Sequence, residues 1–214
     1  MKQVLRSAAI LVLAIVLAQG AQAQGTQDPG WSARLSATTI LGTAGGSFDP
    51  ELGWGVGIEY RFSRRLGVEL GISQADVVNS VEAGFIIAAP FTIESRLSAM
   101  PLLAQLDIHL TPDSPVDLYL GPVVGYIRYG DLETRIRGFE GETIPVVVTP
   151  VDDGFAWGVH AGLDVPLGRS RSFFEAGISY LDAKAESSLG LAADNDLVFD
   201  IDPLVIRAGI GMRF

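Results

Sequence analysis

The chain has no cysteine among its 214 residues. No disulfide can staple its fold, and a closed sheet without free edges would not need one. Lysine is almost as scarce. Past residue 23 only Lys184 remains, and 13 basic side chains there stand against 25 acidic ones. That balance argues against nucleic acid as a partner. It suits a surface that meets water and divalent cations. Long apolar runs are missing too. Beyond residue 23 no stretch reaches the roughly 18 apolar residues of a membrane-crossing helix. Catalytic signatures are absent as well: there is no Gly-x-Ser-x-Gly, His-Glu-x-x-His or phosphate loop. An enzyme is not expected.

What is present is apolar content of 48%, spread in alternation, and 25 glycines. The N-terminus is the exception to that alternation. Lys2 and Arg6 precede an unbroken apolar run over residues 8–18, and Ala21, Gln22 and Ala23 place small residues where a signal peptidase reads. Residues 1–23 are expected to be a cleaved signal peptide and residues 24–214 the mature domain.

The last eleven residues set the pattern for the rest. Leu204, Ile206, Ala208, Ile210, Met212 and Phe214 share one parity, and Val205, Arg207, Gly209, Gly211 and Arg213 the other. A strand sends alternate residues to opposite faces. One face here is continuously apolar, the other is arginine and glycine. The same division recurs at Trp31 to Leu41, Leu52 to Phe62, Leu66 to Ser73, Thr92 to Leu110, Val116 to Tyr129, Phe155 to Val165 and Phe173 to Ala183. The bulky parities would not fit a narrow eight-stranded interior, whereas the glycine-rich ones would. Bulky-out, small-and-charged-in is the arrangement of an outer-membrane barrel. On this reading Trp31, Trp54, Tyr60, Trp157 and Phe214 face lipid. The segment from Gln74 to about Pro90 breaks the pattern and is expected to be a long connection. Pro101 cannot donate to a ladder, so a bulge or a strand end is expected there.

The predicted fold is all-β: an eight-stranded antiparallel transmembrane β-barrel. Its connections alternate long and short, which places both termini in the periplasm. Its expected surroundings are outer-membrane lipid and, through the C-terminal strand, the barrel-assembly machinery. A monomer is expected.

Three stretches resemble the OmpW family of small outer-membrane barrels. The segment from Met100 to Leu110 with its following Asp/Pro turn is similar to that family's fourth strand. Tyr119, Gly121, Gly125 and Tyr126 resemble the next strand, with Leu118 where the family usually has proline. The segment from Asp200 to Phe214 resembles the closing strand, with Met212 replacing the usual aromatic. The resemblance implies passage of small, mostly apolar solutes. It carries over no catalytic residue.

Two groups of residues are candidates for function. The inward parities gather Arg34, Glu59, Arg61, Glu69, Gln105, Asp107, His109, Asp117, His160, Asp164, Glu175, Arg207 and Arg213, with both signs available to pair. Glu175 is expected opposite Arg207 or Arg213. The connections carry apolar residues that water-facing loops ordinarily lack: Phe85, Ile86, Ile87 and Phe91; Ile144, Val146, Val147 and Val148; Leu189 and Leu191. Such patches arise where strands extend past the membrane as hairpins with these residues packed on one another, or they mark an entrance for a small hydrophobic ligand or, alternatively, a surface that grips a protein partner without transport. His109 and His160 lie on different strands at no diagnostic spacing, so no metal centre or cofactor is expected.

Overall fold

The computed structural model describes residues 29–42, 48–86, 89–137, 143–144, 148–188, 196–200 and 202–214. The expected signal peptide lies outside them. Among the described residues no helix is long and apolar enough to cross a membrane. The elements are strands: β1 (Gly30–Gly42), β2 (Phe48–Pro50), β3 (Gly53–Ser63), β4 (Leu66–Ile86), β5 (Ala89–His109), β6 (Asp117–Tyr129), β7 (Leu132–Arg137), β8 (Thr143–Ile144), β9 (Val148–Thr149), β10 (Gly154–Pro166), β11 (Ser172–Ser188), β12 (Asp196–Asp200) and β13 (Pro203–Arg213).

Eight of them close a ring in the order β1, β3, β4, β5, β6, β10, β11, β13, and β13 pairs back to β1. Every pairing is antiparallel. The ring leaves no edge to face lipid. β2, β7, β8, β9 and β12 extend the sheet at the end with the long connections.

The other end carries the three short turns, and each uses a hydroxyl. Ser63 Oγ accepts from Arg65 N and Leu66 N. Thr111 Oγ1 donates to Val116 O and accepts from Leu118 N, both at 2.8 Å. Ser170 Oγ donates to Leu167 O, beside Gly168 at φ 68°, a conformation open to glycine.

The inside-outside division follows the parities. Trp54, Val56, Ile58, Tyr60 and Phe62 are exposed on the outer face of β3, while Glu59 and Arg61 between them are buried. Val165 departs from the division. It has outward parity yet is buried, on the β10 stretch that pairs with Phe173 and Phe174.

Two expectations are corrected. The segment after Gln74 is not a loose connection. β4 runs on to Ile86 and pairs with β5 as far as Ala89, so both strands continue beyond the ring as a hairpin. The two-faced pattern lapses because there is no lipid-against-lumen contrast to impose it. Nor does Pro101 cause a bulge or end a strand. Ile72 pairs with Leu102 and Ala75 with Ala99 in one constant register, so no residue is inserted.

What the proline does is remove one bond. His109 N donates to Arg65 O, and hydrogen-bonded pairs recur at every second residue of an antiparallel ladder. Counting back, Ser73 opposite Pro101 falls at a bonded position, and its carbonyl finds no N–H there. The same phase argument applies on the other side of β5. Leu110 N donates to Leu118 O, which makes Leu106 opposite Pro122 a bonded position as well. The ladder skips from the Gln105–Val123 pair to Ile108–Leu120. β5 is thus short of one bond to each neighbour.

Candidate functional site: a charged floor under an apolar lumen

The interior has two levels. Toward the turn end lie the charges. Glu59, Glu69, Asp107, Asp117, Asp164 and Glu175 are all within 1% of complete burial. Four guanidiniums, from Arg34, Arg61, Arg207 and Arg213, meet them.

Arg34 is the centre. Its Nη2 pairs with Glu59 and its Nη1 donates to Glu69 Oε2 at 2.7 Å. It also stands 3.3 Å from Glu175 and 3.5 Å from Asp164. Arg61 bridges Glu59 at 3.2 Å and Asp117 at 3.0 Å. Arg207 pairs with Glu69 from the opposite wall. Arg213 reaches Asp164 at 3.4 Å. The expected pairing of Glu175 with Arg207 or Arg213 is therefore replaced. Within ion-pair distance Glu175 meets Arg34, while Arg207, which pairs with Glu69, still faces Glu175 and acts on it electrostatically. The inward side of the register is as expected.

Aromatic rings fill the space between the charges. Tyr119 Oη accepts from Arg34 Nη1 at 3.3 Å, and its ring lies between those of His109 and His160 at 5.6 and 5.9 Å. Phe173 lies under the guanidiniums of Arg34 and Arg213, at 5.4 and 4.8 Å from ring centre to Cζ. Both rings sit on inward parities beside glycines. A Cβ at Gly162 would meet Tyr119 Oη at 2.4 Å, and one at Gly211 would meet Phe173 Cζ at 2.1 Å. Neither aromatic is among the site residues expected from the sequence. Their parity was the signal.

His160 has a separate task. Its Nε2 lies 3.2 Å from Leu106 O. A carbonyl only accepts, so Nε2 carries the proton. This is the carbonyl that Pro122 leaves without a strand partner. Gly121 keeps the position open, since a Cβ there would lie 1.7 Å from that oxygen.

Above the charges the inward residues turn apolar. Ile40, Ala75, Val77, Ala99, Leu103, Val123, Ile127, Leu181 and Val205 form one buried cluster, with Tyr129 at its edge. Between the two levels is a cavity of about 30 Å³, bordered by Ser36, Thr38, Glu69, Arg207, Ser73, Pro101 and Leu103. The apolar surface is thus found inside the barrel as well as in the connections.

Of the loop residues expected at an entrance, Phe85 and Ile86 fall on β4, Phe91 on β5 and Ile144 on β8. Val148, on β9, is 60% exposed. Ile87, Val146, Val147, Leu189 and Leu191 lie outside the described residues. The lipid-facing set is placed as follows: Trp31, Trp54, Tyr60, Trp157 and Phe214 are all exposed on the outer wall, and Trp31 stacks on Tyr60 at 4.8 Å. Phe214 N donates to Trp31 O, so the last residue closes the ring against the first strand.

No curated protein matches the chain by sequence. Among solved structures the chain is similar to the outer membrane protein OprG from Pseudomonas aeruginosa, with 18% identity and a TM-score of 0.63 over 90% of this chain and 99% of that one. It is also similar to the outer membrane protein AlkL solved in DMPC lipid bilayers, with 16% identity and a TM-score of 0.53 over 91% of this chain and 94% of that one. At these identities the likeness is one of fold. The profile of the outer membrane protein beta-barrel domain matches residues 9–214, and the chain belongs to that family.

Proposed function

We propose that this outer-membrane barrel passively admits or binds small hydrophobic molecules. The observation that carries the reading is the vertical order of the interior. An apolar level that includes Leu103, Val123 and Ile127 stands above a fully buried ionic floor. An apolar solute exchanges contacts with the upper level at little cost. It cannot displace the carboxylates and guanidiniums below without leaving buried charges unpaired. The turn end, which we take to be periplasmic, is closed to it.

The exit is then sideways into the bilayer. The β4–β5 ladder lacks a bond at Ser73 and Pro101, and the interior cavity touches both residues. One bond fewer must break there than in an uninterrupted stretch of ladder. The exposed apolar face of Leu102 lies just outside.

The test is uptake into proteoliposomes of a small apolar solute such as an alkane or an aromatic hydrocarbon. Faster uptake than in empty vesicles is expected. Pro101→Ala returns the missing N–H opposite the Ser73 carbonyl, and uptake should then slow. Uptake equal to that of empty vesicles refutes the reading.

A further inference from the structure

The floor holds a second arrangement that solute passage does not use. Glu59 on β3 and Asp107 and His109 on β5 meet across β4, each buried, with one ligand atom from each lying within 4.8 Å of the other two. Glu59 Oε1 accepts a hydrogen bond from His109 Nε2 at 3.1 Å, a contact that an ion between the two would replace. Two ligands each about 2.1 Å from one ion stand roughly 3 Å apart. The other ring nitrogen, Nδ1, lies 2.9 Å from Asp117 Oδ2, a close contact whose N–H is not aligned for a full hydrogen bond. A carboxylate there is the outer partner that orients a metal-bound imidazole.

Asp107 is the independent observation. It is 0% exposed, yet neither carboxylate oxygen has a hydrogen-bond partner among the described residues. His160 Nε2 stands 3.3 Å from Oδ1 but is turned to the Leu106 carbonyl. Buried carboxylate oxygens in this state need a ligand or a proton. Charge points the same way: the floor named above has six carboxylates and four guanidiniums. One divalent cation makes the two signs equal, as would protons held on Asp107 and His109, and a count of bound metal separates the two. Arg61 Nε also faces Glu59 Oε1, at 3.2 Å, but a carboxylate oxygen offers two lone pairs.

We propose that Glu59, Asp107 and His109 bind one first-row divalent metal ion, of the zinc or manganese type, as a clamp between β3 and β5. The imidazole selects against calcium and magnesium. The ligands are closed off by Tyr119 and the neighbouring arginines, so the ion is taken up as the barrel folds.

The test is to fold the full chain into lipid vesicles with Zn²⁺ or Mn²⁺, strip free ion with a weak chelator, and count metal by mass spectrometry. One ion per chain is expected. Asp107→Asn and His109→Gln should retain less than a tenth of that, and Asp117→Asn, which removes the carboxylate beside Nδ1 together with its ion pair to Arg61, should weaken retention about 10–100-fold. Circular dichroism and heat-dependent gel mobility verify that each variant is folded. If a variant does not fold, wild-type protein loaded with Co²⁺ still decides the matter: paramagnetic broadening should be strongest at the His109 ring and weaker at His160. Three results overturn the proposal. They are no retained metal in the wild type, equal retention in folded Asp107→Asn, and a His109 ring carrying protons on both nitrogens after loading.

Discussion

Tyr119 occupies the space that a side chain on Gly162 would fill. A Cβ built at Gly162 falls 2.4 Å from the phenol oxygen and 2.5 Å from Cζ. The ring has no room to retreat, being 2% exposed and set between two histidines. Gly162→Ala should therefore destabilise the barrel by about 1–3 kcal/mol, the usual cost of overpacking. Tyr119→Leu in the same chain should remove most of that penalty, because the two changes share one space. Denaturant unfolding in lipid vesicles measures both. Equal penalties in the two backgrounds would show that the glycine answers to something else.

Arg34 is the residue on which the floor depends. Among the described residues it is the one side chain that reaches all four of Glu59, Glu69, Asp164 and Glu175. Arg34→Met leaves buried carboxylates uncompensated and should cost about 3–5 kcal/mol. Arg34→Lys should recover only part of this. A single ammonium cannot fork between Glu59 and Glu69 as the guanidinium does. The same unfolding measurement applies, and a lysine variant as stable as wild type would contradict the geometry.

The outer wall gives a prediction of opposite character. Leu70 is 55% exposed and pairs with Ile58 and Ala104 on its two sides. An arginine there enters lipid, and Leu70→Arg should cost about 2–4 kcal/mol if it lies near the bilayer midplane. Were the strand rotated by one residue, the new guanidinium would join the carboxylates instead and cost little. Stability of the variant in vesicles distinguishes the two registers.

The ring, its strand number and the sense of every wall strand were legible because side-chain parity is a local property. Trp54 and Glu59 declare their faces without knowledge of any neighbour. Partner choice was not legible. Arg34 comes within ion-pair distance of Glu175, and Arg207 within that of Glu69, because of distances across the lumen, which parity does not encode. The extent of β4 was hidden for a different reason. Beyond the ring both faces of the β4–β5 hairpin lose the contrast that makes a membrane strand conspicuous. The apolar upper level was written in the sequence at Ile40, Leu103, Val123 and Val205, all on inward parities. It was overshadowed by the apolar loop residues, which the described structure places only in part. The histidine roles needed the fold outright: His109 and His160 acquire their partners from strands far apart in sequence.

His160 offers the sharpest separation of cause from coincidence. Pro122 removes the N–H that Leu106 O would accept, and His160 Nε2 supplies a donor at 3.2 Å in its place. His160→Phe keeps a ring in the lumen but leaves that carbonyl buried and unpaired, which should cost about 1–3 kcal/mol. Pro122→Ala returns the strand N–H. In that background the same His160→Phe change should cost far less, since the carbonyl again has a donor. A histidine that merely fills volume would give the same penalty with or without the proline. Unfolding of the four proteins, wild type, both single variants and the double, therefore decides whether this side chain repairs a gap in the wall.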